Sequence, residues 1–469
     1  MKKISELTAI EVTALFRAKE LGPVEYLTQV WEHIDRWEPS LNAFYIQHRE
    51  SSLAGARESE ARYMAGAPLS EIDGVPTTVK EMLASAGDAD PSGSVAGSTA
   101  PATTDSPVVA RLKEAGALIL GKTTVPDYGM LSSGLSSLHG ITRNPWDLNS
   151  NTGGSSSGAG AAAAANYGPL HVGSDIGGSV RIPAGWCGVV GFKPSHGRIP
   201  VDPYYFGRCA GPMTRTVADT ALAMQFLSKP DSRDATSLKP EQLPWKVRAA
   251  NVSGMRVGLL LDAGCGMKID DEVVATVLSV ARMFAAQGAV VSEVGPILTQ
   301  DQLDGLDTFW RARTWSSLEQ LSPEKREQVL PYIWQWAERA QQSTGLEVVR
   351  GFAATYEMRK QTNEVFEHVD IVLAPTNPVV KYPAHLPSPT NDPSRPFDHI
   401  ALTMPWNMGE QPAISINGGY SEEGFPIGIQ IIGPRFADIA VLEAATAVEA
   451  WLKEDQRPFP LPQSDSVPA

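Results

Sequence analysis

Cysteine is scarce in this chain of 469 residues: Cys187, Cys209 and Cys265 are an odd number at spacings that fit neither a disulfide framework nor a zinc site. Reduced, buried thiols are expected, and with them a cytoplasmic location. Cys187, set among Trp186, Val189 and Val190, reads as a packing residue rather than a nucleophile. Positive charge is also in deficit. Lys and Arg total 39 against 53 Asp and Glu, a formal net charge of -14 with no compensating basic patch, which argues against a nucleic-acid or anionic-membrane surface. No run approaches the roughly 18 apolar residues of a spanning helix. No apolar segment follows Met1-Lys2-Lys3 either, so a secretory signal is not expected. Linkers are missing too: no Pro/Ser/Gln-rich stretch or like-charge block divides the sequence, so residues 1–469 read as one domain.

What is present is material for a large core, since 42% of the residues are hydrophobic. The pattern is α/β: a large mixed β-sheet covered by helices on both sides. Residues 9–37 read as two amphipathic helices parted by Gly22-Pro23, the first burying Ile10, Leu15 and Leu21, the second Val24, Leu27, Val30 and Ile34. Ala117-Leu118-Ile119-Leu120 reads as a buried parallel strand. The alanine-rich run 159–165 reads as a slim helix that packs close to the sheet. A strand from Met255 to Leu261, a helix from Val273 to Gln287 and a strand from Ala289 to Val294 follow. Residues 300–365 are helical in period and carry Trp310, Trp315, Trp334 and Trp336; they read as a helical insertion. Ordinary helix packing is the expected role of those rings, with an aromatic cover on a substrate mouth as the alternative. Strands over 371–374, 413–416 and 427–432 and a last helix over about 437–453 complete the chain.

Two motif matches fail on context. Gly116-Ala117-Leu118-Ile119-Leu120-Gly121-Lys122-Thr123 satisfies the phosphate-loop pattern, which would make the chain a nucleotide-binding protein using Lys122. Its four middle residues are strand material, however, and a helix rather than a strand precedes them. Gly154-Ser155-Ser156-Ser157-Gly158 satisfies G-x-S-x-G, with His368, His385 and His399 downstream as partners for Ser156. That elbow needs a strand leading into it, and residues 144–152 read as a polar loop.

The chemistry lies in three glycine-framed settings: Gly74 to Lys80, Gly153 to Gly158, and Gly173-Ser174-Asp175-Ile176-Gly177-Gly178-Ser179-Val180-Arg181. Amide hydrolysis needs a nucleophile, a base, oxyanion donors and an acid for the nitrogen leaving group. Two glycines before Ser179 let consecutive backbone amides converge on one oxygen. Lys80 can serve as base only when neutral, so it must be buried, with Glu81 turned elsewhere.

Through these stretches, and through Gly191-Phe192-Lys193-Pro194, Gly211 to Val217 and Gly424 to Gly433, the chain resembles the amidase signature family. The resemblance implies Ser179 as nucleophile, Ser155 as a bridging serine held by a cis peptide bond, and Lys80 as base. It implies an oxyanion hole from the amides of Ile176, Gly177, Gly178 and Ser179, with Asp175 and Arg181 bracing the loop and Ser156 fixing it by hydrogen bonds. Thr152 stands where that family often has proline and Ser157 where glycine is usual. Members of the family cut fatty, aryl and peptide amides, lactam oligomers and, in places, carbamates or esters; one branch is the glutamine-hydrolysing subunit of a tRNA-dependent amidotransferase. The aromatic loop Tyr204-Tyr205-Phe206 is a candidate pocket wall, as are Met130, Leu131 and Trp406. These apolar residues favour a bulky aryl or acyl amide, or a carbamate (urethane), over glutamine. No cofactor or metal is called for, the partner is a small-molecule substrate, and a homodimer stays open.

Overall fold

A computed structural model describes residues 3–458; Met1 and Lys2 of the opening stretch, and 459–469 of the expected 1–469 domain, lie outside the described residues. Eleven strands form one mixed sheet. In chain order they are β1 (Phe44–Gln47), β2 (Pro76–Lys80), β3 (Leu118–Thr123), β4 (Leu170–Asp175), β5 (Val190–Lys193), β6 (Cys209–Thr214), β7 (Arg256–Leu259), β8 (Val290–Glu293), β9 (Ile371–Pro375), β10 (Ala413–Tyr420) and β11 (Pro426–Ile432). Across the sheet they run β1-β3-β2-β4-β6-β5-β10-β11-β9-β7-β8.

Side chains alternate across each strand, so both faces need cover. On β9, Ile371 and Leu373 join a core under the helices Pro107–Glu114, Val217–Leu227, Asp271–Ala286 and Asp438–Trp451. Val372 and Ala374 face the other way, toward Trp406 and Ile432. That second face also takes the helices Ser157–Ala164 and Arg181–Cys187, whose Ala159, Ala163, Ala164 and Ala184 pack beside Val180 and Met213. The slim profile is required there: a Cβ on Gly158 would lie 2.3 Å from the Ala43 carbonyl.

The same alternation aims the chemistry. Val79 belongs to the first core, so Lys80, next along β2, is directed to the second face. β2 runs parallel to β4 with Val79 opposite Val172, which brings the ends of the two strands, Lys80 and Asp175, to one edge of the sheet.

The opening helices are Ala9–Ala18 and Pro23–Leu41. The first buries Ala9, Val12, Thr13 and Phe16 rather than the expected stripe: Ile10 is 45% exposed, and Leu21 lies past the helix end. The helix N-terminus sits on Asp219, whose carboxylate accepts the Ala9 and Ile10 amides, and this turns Ile10 outward. The interval from 300 to 365 folds as the helices Gln300–Leu318, Pro323–Arg326, Pro331–Glu338 and Gly345–Val365. Residues 147–151, read from sequence as loop, form a short strand paired with Arg143–Asn144, outside the large sheet. Among the described residues no helix is long and apolar enough to cross a membrane.

Candidate active site

Three separate segments meet at the strand edge. Lys80 is 1% exposed, and its Nζ donates to Ser155 Oγ at 2.8 Å and to the Ser174 carbonyl at 3.3 Å. Burial, helped by the positive field of Arg208, pushes the Lys80 amine down to about 7. Arg208 is anchored two residues further along, donating to the Met82 carbonyl at 2.9 Å. Glu81 turns away: its carboxylate accepts Gly93 N at 2.7 Å and meets His139 Nε2 at 2.5 Å.

Ser155 follows a cis Gly154–Ser155 peptide bond. A Cβ on Gly154 would stand 2.6 Å from the backbone of Ser133, so the chain passes there only without a side chain. Ser156 ties this loop to the next: its amide donates to the Ser179 carbonyl at 3.2 Å, and its Oγ donates to the Ser174 carbonyl at 3.2 Å. Ser156 meets no imidazole, because His368 and His385 are exposed and His399 lies elsewhere.

The loop from Asp175 to Arg181 is braced from within. Asp175 Oδ1 accepts from Gly178 N (2.8 Å), Asn407 Nδ2 (2.9 Å) and Arg181 (3.1 Å); Oδ2 accepts from Val180 N and Arg181 Nε, both at 3.1 Å. Burial alone would raise the Asp175 pKa, but the Arg181 guanidinium and these donors outweigh it and hold the carboxyl well below the usual carboxylate range. Arg181 is itself buried and continues to the Thr403 carbonyl (2.9 Å), Gln430 Oε1 (3.1 Å) and Asn407 Oδ1 (2.6 Å).

One expected oxyanion donor is thereby spoken for. The Gly177–Gly178 peptide is clamped at both ends, Thr403 Oγ1 donating to the Gly177 carbonyl at 2.6 Å and Asp175 taking the Gly178 N–H. The amides of Ile176, Gly177 and Ser179 are the ones in this loop with no protein acceptor among the described residues. Gly178 needs its lack of a side chain: φ is +125°, and a Cβ would meet Thr403 Oγ1 and Ile182 Cδ1 at 2.6 Å.

Ser179 and Ile176 are half-buried and open onto a narrow cavity of about 30 Å³. Among the described residues no hydrogen bond joins Ser179 Oγ to Ser155 Oγ; catalytic contacts of this kind are often looser before substrate binds. Met130 and Leu131 line the cavity, as the sequence suggests. The other four candidates do not. Tyr204 is 44% exposed and packs edge-on to His196; Tyr205 is held under the Arg313 guanidinium at 3.7 Å; Phe206 packs against Phe352. Arg208 fastens this loop by donating to the Pro203 carbonyl at 3.1 Å, and the loop's three rings are not among the residues that line the cavity. Trp406 is fully buried under the sheet, its Nε1 donating to the Leu402 carbonyl of its own turn. The walls come instead from Trp310, Tyr332, Pro387, Phe397, His399 and Ile400. Of the four tryptophans, Trp310 reaches the cavity, Trp336 packs on Phe397, and Trp315 and Trp334 pack on each other.

Lys122, the lysine of the phosphate-loop match, sits in β3 and is buried. Its Nζ donates to the Leu83 carbonyl and, at 3.4 Å, to Ser85 Oγ, which leaves no loop of amides to cradle an anion.

The amidase family model matches residues 25–442. The chain belongs to the amidase signature family of amide-cleaving hydrolases. An acylamidase of Rhodococcus erythropolis is 33% identical, with 95% of each chain covered. A glutamyl-tRNA(Gln) amidotransferase subunit from Alkaliphilus metalliredigens (strain QYMF) is 30% identical over 96% of this chain and 97% of its own. The crystal structure of a bacterial aryl acylamidase of this family superimposes with a TM-score of 0.86 at 29% identity, covering 95% of this chain and 96% of that one. The large mixed sheet with its helices is thus the fold of this amidase as of its relatives.

Proposed function

We propose that this amidase hydrolyses small uncharged amides, aryl and acyl amides foremost and carbamates or esters with them, through an acyl-enzyme on Ser179. In this reading Ser179 Oγ attacks the substrate carbonyl carbon while its proton passes to Ser155 Oγ and that of Ser155 passes to Lys80 Nζ. The carbonyl oxygen, now negative, is held by the amides of Ile176, Gly177 and Ser179, and each such donor is worth about 3 kcal/mol of barrier. Collapse breaks the C–N bond, and the nitrogen leaves with the proton returned through Ser155. Water then attacks the ester by the same relay and releases the acid and free Ser179.

The observation that carries this reading is the buried Lys80–Ser155 contact of 2.8 Å with an amine pushed down to about 7. At an ordinary lysine value roughly one amine in three thousand is neutral at pH 7; near 7, about half are. Charge also shapes substrate choice. Met130, Leu131, Trp310 and Phe397 give the cavity apolar walls, which disfavour the ammonium and carboxylate of free glutamine. At about 30 Å³ the cavity holds little more than a water, so a bulky substrate must displace wall side chains to enter. The three free thiols support the cytoplasmic location included in this proposal.

The test is a panel of acyl anilides, carbamates, esters, primary amides and glutamine on wild-type enzyme and Ser179→Ala. Anilide turnover abolished in Ser179→Ala supports the proposal; ammonia from glutamine with no anilide turnover contradicts it and favours the amidotransferase role.

A further inference from the structure

Polar groups on the wall of the Ser179 cavity are mostly used up within the protein. Tyr332 Oη donates to the Asp392 carbonyl at 3.0 Å and meets Ser388 Oγ at 3.2 Å, and Ser388 Oγ in turn accepts Asn391 N. His399 differs. It is 3% exposed, and among the described residues neither Nδ1 nor Nε2 has a hydrogen-bond partner. The residue lines two cavities at once: the one over Ser179, and a second of about 350 Å³ lined also by Asp262, Cys265, Lys268, Asp271, Pro378 and Leu402.

The backbone around this ring is held by hydrogen bonds, while the ring itself makes none among the described residues. Arg395 Nε donates to the Asp398 carboxylate at 2.7 Å, Met267 N to the Asp398 carbonyl at 3.1 Å, and Ile400 N to the Phe397 carbonyl at 3.0 Å. An imidazole buried with both nitrogens unpaired costs free energy that a leucine or phenylalanine at the same place would not. A group entering the cavity with a donor and an acceptor of its own would recover that cost. The narrow cavity must widen to admit any substrate, and turning the His399 ring breaks no hydrogen bond. Burial alone pushes His399 down to about 3, so the ring is neutral and offers one N–H donor and one bare acceptor nitrogen.

We propose that His399 is a specificity-determining residue that hydrogen-bonds an uncharged polar substituent, a hydroxyl or a second amide, on the aryl or acyl group of the substrate. This rests on the reading of the Ser179 cavity as the substrate site. A charged substituent is not favoured, because stripping its hydration in an apolar slot costs more than one neutral hydrogen bond returns.

A matched pair tests it: para-hydroxyacetanilide against para-methylacetanilide, with the meta pair beside it, on wild type, His399→Phe and His399→Gln. Cleavage is read as kcat/KM. Affinity is read in the Ser179→Ala background by quenching of tryptophan fluorescence. The expected result is a preference of about tenfold or more for the hydroxyl member of at least one pair in wild type, lost in His399→Phe and largely kept in His399→Gln, whose amide retains a donor and an acceptor. The same hydroxyl-to-methyl ratio in wild type and His399→Phe overturns the proposal, and so does a wild-type ratio near one, a measurement that does not depend on any variant folding. A binding preference that follows His399 without cleavage of either anilide would sink the proposed reaction and leave this inference standing.

Discussion

At Asp175 both carboxylate oxygens are filled by donors, most of them from residues within six positions in sequence; at His399, on the wall above, neither ring nitrogen has a partner among the described residues. The floor of the site is polar, braced by hydrogen bonds around the free amides of Ile176, Gly177 and Ser179, and assembled from short glycine-framed stretches. The walls are largely apolar, gathered from residues 129–132, Trp310, Tyr332, 387–388, 396–397 and 399–400, and hold the His399 ring, unpaired among the described residues. In the proposed reaction the difference separates two tasks. Charge developing on an oxygen is stabilised by dipoles fixed in advance, so the floor cannot yield. Substrates of varied shape are admitted by side chains that can move, so the walls must.

The comparison breaks most sharply at the floor. Ser179→Ala is expected to lower kcat/KM for an anilide by about a thousandfold or more while its affinity for the same anilide changes by less than about threefold, because the walls are untouched. Fluorescence titration alongside kinetics checks both halves. Gly178→Ala should follow, with a loss of about a hundredfold in kcat and of about 2 kcal/mol in stability by denaturant melts, since φ of +125° and the 2.6 Å contacts of a new Cβ oppose any side chain. A wall residue should behave otherwise. Met130→Ala is expected to leave kcat on a small acyl anilide within about threefold and to improve kcat/KM for a bulkier acyl group by a similar factor, because it widens the cavity without touching the floor. Equal loss on both substrates would erase the distinction between floor and wall.

How far the sequence carried the reading follows the same division. Strands with β-branched runs, such as Ile427 to Ile432, and the alanine-rich helix were legible because each needs only local pattern. So were the floor segments, since the glycines at 153, 154 and 178 mark backbone with no room for a side chain. The occupied Gly178 amide was not, because the pairing of Asp175 Oδ1 with that N–H depends on how the turn closes. The walls were poorly legible: Phe397, His399 and Tyr332 come together only through tertiary packing, and nothing local distinguishes Trp310 from Trp315. Tyr204 to Phe206 do not line this cavity, and proximity to the signature in sequence does not reveal that Arg208 bonds the Pro203 carbonyl and Arg313 stacks on Tyr205.

Two buried lysines make a finer version of the contrast. Lys80 and Lys122 lie on paired strands one register step apart, Val79 facing Lys122 and Lys80 facing Thr123. Burial lowers both, Lys80 to about 7 and Lys122 to about 8, but Lys80 Nζ lies 2.8 Å from the Ser155 hydroxyl at the strand edge, whereas Lys122 Nζ is held by the Leu83 carbonyl, with Ser85 Oγ at 3.4 Å. Only the first borders Ser155, the bridge of the proposed relay. The lowered value also sets a stability signature. The unfolded chain holds this proton up to about 10.5 and the fold only to about 7, so between those values the unfolded state binds more protons and wild-type stability rises with pH. Lys80→Met removes that burden, and its melting temperature relative to wild type should be highest at and below pH 7 and fall as pH approaches 10. A gap that does not change with pH would show that Lys80 is charged in the fold.

The most direct measurement is an NMR titration of the lysine Cε–Hε signals, assigned by comparing wild type with Lys80→Met and Lys122→Met. The account predicts a signal that titrates near pH 7, disappears in Lys80→Met and persists in Lys122→Met, with the acid limb of kcat/KM falling at the same pH. A Lys80 signal that titrates near 10, with the surface lysines, would contradict it.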